Sequence, residues 1–247
     1  TITATICADK QDGTRYSVSK TYSVAQYCYD ALAMEYTSDA LRTLLVDTLH
    51  FGAACQLFRN PELEEKELVD AALTQQQLAW GSGETIRQLE NCRDFGSNSG
   101  SVKWYGVSAL MGDSIQMRLY FTALNKENLT VQAQSAVGQW TLTNDQIKTK
   151  DGLYYVDFGC LNPAQMQEKV SFTVYQGDTA VSNTLHYSLD SYAAVWTQKS
   201  DANPRQVEMV KAMIRYGDAA KAYKERTYDL ETDVLYLGRT YLQGDTQ

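Results

Sequence analysis

The sequence predicts a mixed α+β chain: an antiparallel β-sandwich with an appended helical hairpin, preceded by a partial second copy of the same unit. Three observations lead there. Residues 22–58 and 187–223 align without a gap at a constant offset of 165, with Tyr22 matching Tyr187, Tyr27 matching Tyr192, Phe51 matching Tyr216 and Gly52 matching Gly217. Within both copies the apolar residues recur at helical spacing. Upstream of the second copy, short segments alternate apolar and polar residues between turn signals, the mark of antiparallel sandwich strands.

Thr1–Ala8 and Thr14–Tyr22 read as strands separated by the turn signal Asp9–Gly13. The first helical stripe follows with Val24, Tyr27, Cys28, Ala31 and Leu32, and a longer one with Leu41, Leu44, Leu45, Thr48, Leu49, Gly52 and Cys55. Ser38 is placed to cap the longer helix. Residues 61–101 read as a linker: Asn60-Pro61 opens a short acidic helix, and Thr74 with Gln77 spells a capping box. Gly81–Gly83 and Gly96–Gly100 are flexible punctuation.

The strands of the second copy are Val102–Met111, Ser114–Thr122, Leu129–Gln134, Gly138–Leu142, Gly152–Gly159, Lys169–Tyr175 and Thr179–Tyr187, with a short turn or helical segment at Asn162–Glu168. Their number and spacing suggest an immunoglobulin-like sandwich. The second pair of helices carries Leu189, Tyr192, Ala193 and Trp196, then Met209, Val210, Met213, Ile214, Gly217 and Ala220, and Asn203-Pro204 marks the start of the last helix. Glycine inside a helix costs about 1 kcal/mol relative to alanine, so Gly52 and Gly217 point to close backbone packing at matching places. The expected organisation is a partial module at 1–60, a linker at 61–101, the sandwich with its helical hairpin at 102–223, and a tail at 224–247. In the tail, Val234–Leu237 reads as a short strand or helix expected to dock elsewhere.

Composition narrows the function. The net charge of −8 disfavours nucleic acid and anionic membranes as partners, since phosphate binding needs a concentrated basic face. No apolar run is long enough to span a bilayer, so no membrane insertion is expected. The chain opens at Thr1 with neither initiator Met nor signal peptide, which reads as a processed protein or a fragment of something larger. Five cysteines lack metal-ligand spacing and read as small buried apolar residues, while Cys28 and Cys55, on neighbouring helices, admit one bridge.

No catalytic constellation stands out. Gly96–Gly100 has Asn98 where a nucleophile elbow needs serine, and Gly81-Ser82-Gly83 lacks the third glycine of a dinucleotide loop. His50 and His186, the two histidines, have no ligand partner at helical or strand spacing, and both read as packed or surface residues. Glu62–Glu67 suits the positive end of a helix dipole. No catalytic residue, cofactor site or metal site is therefore assigned.

The runs LLVDTLHFGAACQLF, LVDAALTQQQLAWG, VKWYGVSALMGDSIQMRLYF, GLYYVDF, LHYSLDSYAAVW and MVKAMIRYGDAAKAY resemble a recurrent module of secreted and surface proteins from anaerobic gut Firmicutes. That module is a β-sandwich followed by a helical hairpin ending near Tyr-Gly-x-Ala-Ala. It is often found in tandem, beside dockerins, leucine-rich repeats or carbohydrate-active domains. The resemblance implies an extracellular or cell-surface location and brings no catalytic residues. The resulting expectation is a non-catalytic module of a larger bacterial protein that binds a polysaccharide or a surface protein. The alternatives are a spacer that presents neighbouring domains, and an enzyme whose site goes unrecognised.

The aromatic bias, 17 Tyr with 4 Trp and 6 Phe, names a candidate binding face. A two-residue turn at Gly112-Asp113 would set Met111 opposite Ser114. It would then put Trp104–Phe121, Gly106–Leu119, Ser108–Met117 and Leu110–Ile115 on the core face. The other face would carry Ala109 with Gln116, Val107 with Arg118, and Tyr105 with Tyr120. Tyr105, Arg118 and Tyr120 are thus the expected stacking residues, unless the helical hairpin lies across them.

Overall fold

Serine caps set the frame in both copies. Ser23 accepts a hydrogen bond from the Gln26 backbone and starts α1 (Val24–Leu32); Ser188, 165 residues later, accepts one from Ser191 and starts α4 (Leu189–Gln198). The second helix of each copy keeps the offset, α2 being Asp39–Arg59 and α5 Pro204–Glu225. Ser38 caps α2 through the Leu41 amide, and Pro204 occupies the first helical position of α5. Residues 2–9, 13, 15–35, 37–97, 100–112 and 114–226 are described in this computed structural model. The turn expected at Asp9–Gly13, Asn98 of the expected Gly96–Gly100 loop, Asp113 of the expected turn and the tail segment Val234–Leu237 lie wholly or partly outside them.

The chain is mixed α+β with antiparallel sheets and, among the described residues, five α-helices. It divides into two units, one of Thr1–Gly83 with Glu225–Gln247 and the other of Glu84–Lys224. The boundary splits the expected linker. Residues 61–83 belong with the first helices because Leu73 is buried among Cys28, Ala31, Leu32, Leu45, Val46 and Leu49, with Val69, Leu78 and Trp80 packed beside them. Residues 84–101 belong to the second unit, where the Asp94 and His186 backbones exchange hydrogen bonds of 3.0 and 2.9 Å.

In the first unit β1 (Ile2–Asp9) and β2 (Arg15–Tyr22) form an antiparallel ribbon, with Thr3 bonded to Thr21 and Thr5 to Ser19 across it. Asn60-Pro61 does not start a helix. Glu64, with Glu67, caps a 3₁₀ turn at Glu65–Glu67 instead, and the Thr74–Gln77 capping box opens α3 (Gln75–Leu78) as its spacing requires. Asp47, buried within α2, accepts both the amide and the hydroxyl of Ser82, at 3.1 and 2.5 Å, so the Gly81–Gly83 loop is tied down. Cys28 and Cys55 are free thiols, so the bridge that their helices would admit is not formed; burial pushes the Cys28 thiol up to about 11.

The second unit holds two sheets. One has the order β3 (Lys103–Met111), β4 (Ile115–Thr122), β8 (Leu153–Phe158), β7 (Lys148–Lys150). The other runs β10 (Thr179–Ala180), β9 (Val170–Gln176), β5 (Leu129–Ser135), β6 (Gly138–Leu142), with β11 (Leu185–Tyr187) also on β9. Their inner faces meet through rings. Phe158 of β8 lies 5.2 Å from Phe172 of β9 and 5.3 Å from Trp140 of β6, both edge to face. Met117, Leu119, Phe121, Val131, Val156 and Val174 fill the same layer.

Arg87 binds this unit together. Its guanidinium grips both oxygens of Asp190 on α4 at 2.5 and 2.8 Å and Asp218 on α5 at 2.9 Å. The Asp190 hydrogen bonds raise the Arg87 pKa well above its ordinary value. Asp190 is 3% exposed, and this pairing satisfies its buried charge.

The two helical glycines lie inside their helices, each against a close neighbour, but the neighbours come from opposite directions along the chain. A Cβ on Gly52 would come within 2.8 Å of Val69, downstream; one on Gly217 would meet Met166 at 2.7 Å and the Pro163 carbonyl at 3.2 Å, upstream.

Candidate functional site

The hairpin that carries the expected stacking residues does not have the expected register. Met111 pairs with Ile115, Ala109 with Met117 and Val107 with Leu119, so the loop spans three residues, 112–114, and β3 is turned over relative to the two-residue reading. The ladder then shifts between Trp104 and Gly106, and Trp104 regains Phe121 as its partner. Tyr105 is the extra residue of this β-bulge. Val107 and Ala109 therefore lie on the core side. Ser108 faces Arg118, Leu110 faces Gln116, and Gly106, not Tyr105, faces Tyr120.

Arg118 and Tyr120 share the outer face of β4, as their spacing requires. Tyr105 stands apart on the bulge, 70% exposed. The structure brings in two residues that the sequence reading missed. β8 lies beside β4 with Asp157 opposite Arg118 and Tyr155 opposite Tyr120. Arg118 donates to both Asp157 oxygens, at 2.6 and 3.0 Å, and its guanidinium sits 4.2 Å from the Tyr155 ring centre. The Tyr120 and Tyr155 rings are 5.8 Å apart, inclined at 48°. Lys148 of β7 brings its ammonium to 3.9 Å from Asp157. The bond to Asp157 holds the Arg118 pKa above its ordinary range, and Tyr120 adds to the effect.

The local sequence explains this arrangement. Gly152–Gly159 alternates, with Tyr154, Val156 and Phe158 on one side and Tyr155 and Asp157 on the other. That alternation was the available signal for Tyr155 and Asp157; the β4–β8 pairing needed to use it was not available. Gly106 has no atom within 4 Å of where its Cβ would stand, so the floor beside Tyr120 is open on the β3 side. The face thus presents two half-buried rings, a fixed guanidinium and an exposed lysine. Both Asp157 oxygens are engaged by Arg118. The array is suited to stacking and to hydrogen-bond donation.

Other polar clusters have different geometry. Cys92 lies 3.4 Å from the Ser188 hydroxyl and 3.3 Å from that of Ser191, which ties the 84–95 segment to the α4 cap. His186 bonds Ser171 through Nδ1 at 2.9 Å, and His50 approaches Asp70 at 3.9 Å. Among the described residues no three His, Cys, Asp or Glu side chains gather as a metal site, and no helix is long and apolar enough to cross a membrane. No protein-family model matches the chain, and no curated protein or solved structure matches it either.

Proposed function

We propose that the chain is a non-catalytic extracellular module of a larger bacterial surface or secreted protein, and that the outer face of the β3–β4–β8–β7 sheet binds a polysaccharide. In this reading the second unit is an immunoglobulin-like sandwich followed by a helical hairpin. The observation that carries the proposal is the Tyr120–Tyr155 pair flanked by Arg118 and Lys148 on one sheet face. Tyrosine rings stack on the apolar faces of sugars, and fixed donors select hydroxyl positions. The resemblance to modules found beside carbohydrate-active domains supports the same class of ligand.

The test is a glycan array followed by affinity electrophoresis through gels containing the polysaccharides retained. Replacing Tyr120 and Tyr155 together by Ala is expected to lower retention at least about tenfold, since each stacking contact contributes about 1 kcal/mol. Circular dichroism of the variant confirms that the sheet survives. Unchanged retention in a folded double variant would remove this face from the function. The repeat of cap, helix and helix at an offset of 165 favours a second reading, a spacer that presents neighbouring domains. Absence of retention on every glycan selects it.

A further inference from the structure

Charge in the second unit is sorted by face. Strands β5, β6, β9, β10 and β11 contain no Asp, Glu, Lys or Arg. Their outer face is neutral, with Gln132 and Gln134 of β5 beside Thr141 and Gln139 of β6 and Thr173 and Ser171 of β9. The charged strand residues are all on the other sheet: Lys103, Arg118, Lys148, Lys150 and Asp157. The register puts each of them on its outer face, since Lys103 pairs with Thr122, Arg118 with Asp157, Lys148 with Tyr155 and Lys150 with Leu153. Four cations less one anion give this face a charge of +3, in a chain whose net charge is −8. Arg118 and Asp157 satisfy each other, so the surplus sits on the three lysines. Lys103 and Lys150 are exposed, and Lys148 is 60% exposed in its side chain, 3.9 Å from Asp157.

The lysines frame the rings. Gly106, Tyr120, Tyr155 and Lys148 form one row across the four strands, and Lys103 and Lys150 lie one row further, on the two outer strands. At about 4.8 Å between neighbouring strands, β3 and β7 are about 14 Å apart. Cations therefore stand on both rims of the face with the tyrosines between them. Arg118 reaches the Tyr155 ring from the Asp157 side, so the other face of that ring is turned toward Leu153 and Lys150. A sugar stacked on it has a lysine beside its rim.

We infer that the polysaccharide taken by this face is a polyuronate, a chain of sugars with carboxylates on their ring carbons. The inference rests on the reading of this face as a polysaccharide site and names its substrate class. A carboxyl group on a ring carbon lies at the rim of the sugar. The apolar ring face stays free to stack on tyrosine while the carboxylate meets a lysine. Ammonium groups on flexible stems, each with three donors, suit single carboxylates spaced along a chain. A sulfate ester carries its charge beyond a hydroxyl oxygen, where stacking and ion pairing no longer coincide. Charge also directs the encounter: the acidic remainder of the protein repels a polyanion, and the cationic face attracts it.

The experiment titrates the full chain calorimetrically with polygalacturonate, alginate and hyaluronan, each paired with its methyl ester, and with dextran sulfate. The expected result is binding to at least one polyuronate, weakened at least about tenfold by methyl esterification, which removes the charge and keeps the ring. Lys148→Gln with Lys150→Gln is expected to weaken it by a similar factor at unchanged circular dichroism, and Lys148→Arg with Lys150→Arg to retain it. Methyl esters bound as tightly as the acids, or binding confined to neutral polysaccharides, overturn the inference and leave the polysaccharide reading standing, provided that the Tyr120 and Tyr155 double variant loses that binding. Dextran sulfate bound as tightly as the polyuronates overturns it as general attraction of polyanions. Polyuronate binding unchanged by the two glutamine substitutions overturns it as well. Failure to bind any polysaccharide removes both the inference and the reading beneath it.

Discussion

Ser23 and Ser188 cap their helices in the same way, yet one residue further on Val24 is largely exposed and Leu189 is buried. The comparison separates two layers of information. Caps, helix lengths and the shared stripe are local, and they repeat wherever the local sequence repeats. Burial is set by what the rest of the chain delivers. In the second unit that is a pair of sheets and the 84–95 segment; in the first it is the short segment 68–80.

The comparison breaks most visibly at Leu189. Leu189→Ala is expected to destabilise the protein by about 3 kcal/mol, the range for a buried leucine cavity, while Val24→Ala costs below about 0.5 kcal/mol. Urea denaturation of both variants checks this. Equal losses would mean that Val24 is covered in solution as Leu189 is.

The helical glycines sharpen the contrast at smaller scale. Alanine gains about 1 kcal/mol of helix propensity over glycine at either position. At Gly217 the new methyl meets a backbone carbonyl, that of Pro163, at 3.2 Å as well as Met166 at 2.7 Å; at Gly52 it meets a single Val69 methyl at 2.8 Å. A carbonyl fixed in a capped 3₁₀ turn yields less than a side chain on a loop. Gly217→Ala is expected to lose about 1 kcal/mol net, and Gly52→Ala to stay within about 0.5 kcal/mol of the parent. A larger loss at Gly52 would show that the 68–73 segment is the more rigid support.

The smallest effect concerns pH. Burial raises the Asp70 pKa above the ordinary 3.8, with His50 pulling the other way. The folded chain therefore holds the Asp70 proton more tightly than the unfolded chain. Its contribution to stability is present below 3.8 and is lost as the pH rises through the raised folded value. Asp70→Asn is expected to raise the melting temperature at pH 7 by about 2 °C or less, the difference closing near pH 3. The counterpart of His50 is Arg215, which donates to the Glu84 carbonyl at 2.9 Å in place of an ion pair with a carboxylate.

Much of the fold was legible from sequence because it depends on nearby residues. Ser38, the Thr74–Gln77 box and Pro204 act over one turn of chain, and their helices begin where those residues place them. The alternation of Ile115, Met117, Leu119 and Phe121 put the right side of β4 toward the core. What escaped was pairing. One additional loop residue before Ile115 inverted β3, and the bulge at Tyr105 set its first residues back in step; neither leaves a local pattern. The candidate site was legible only in part for the same reason. Arg118 and Tyr120 are on one strand, but Tyr155 and Asp157 arrive from 35 or more residues away through the β4–β8 ladder. Residues 61–83 looked like a linker because they are polar and turn-rich, although Val69 and Leu73 fasten them to the helices.

The Arg87 clamp has a consequence for how the protein is made. Its contacts to Asp190 and Asp218 span 103 and 131 residues, so the second unit cannot close until the last helix has left the ribosome. At about 5–20 residues per second, the 131 residues between Arg87 and Asp218 take about 7 to 26 s to appear. Through that interval Arg87 waits for its carboxylates and the strands between them are already out. The nascent chain thus passes through an interval in which the β-strands are complete while the clamp that joins them to the last helix is not.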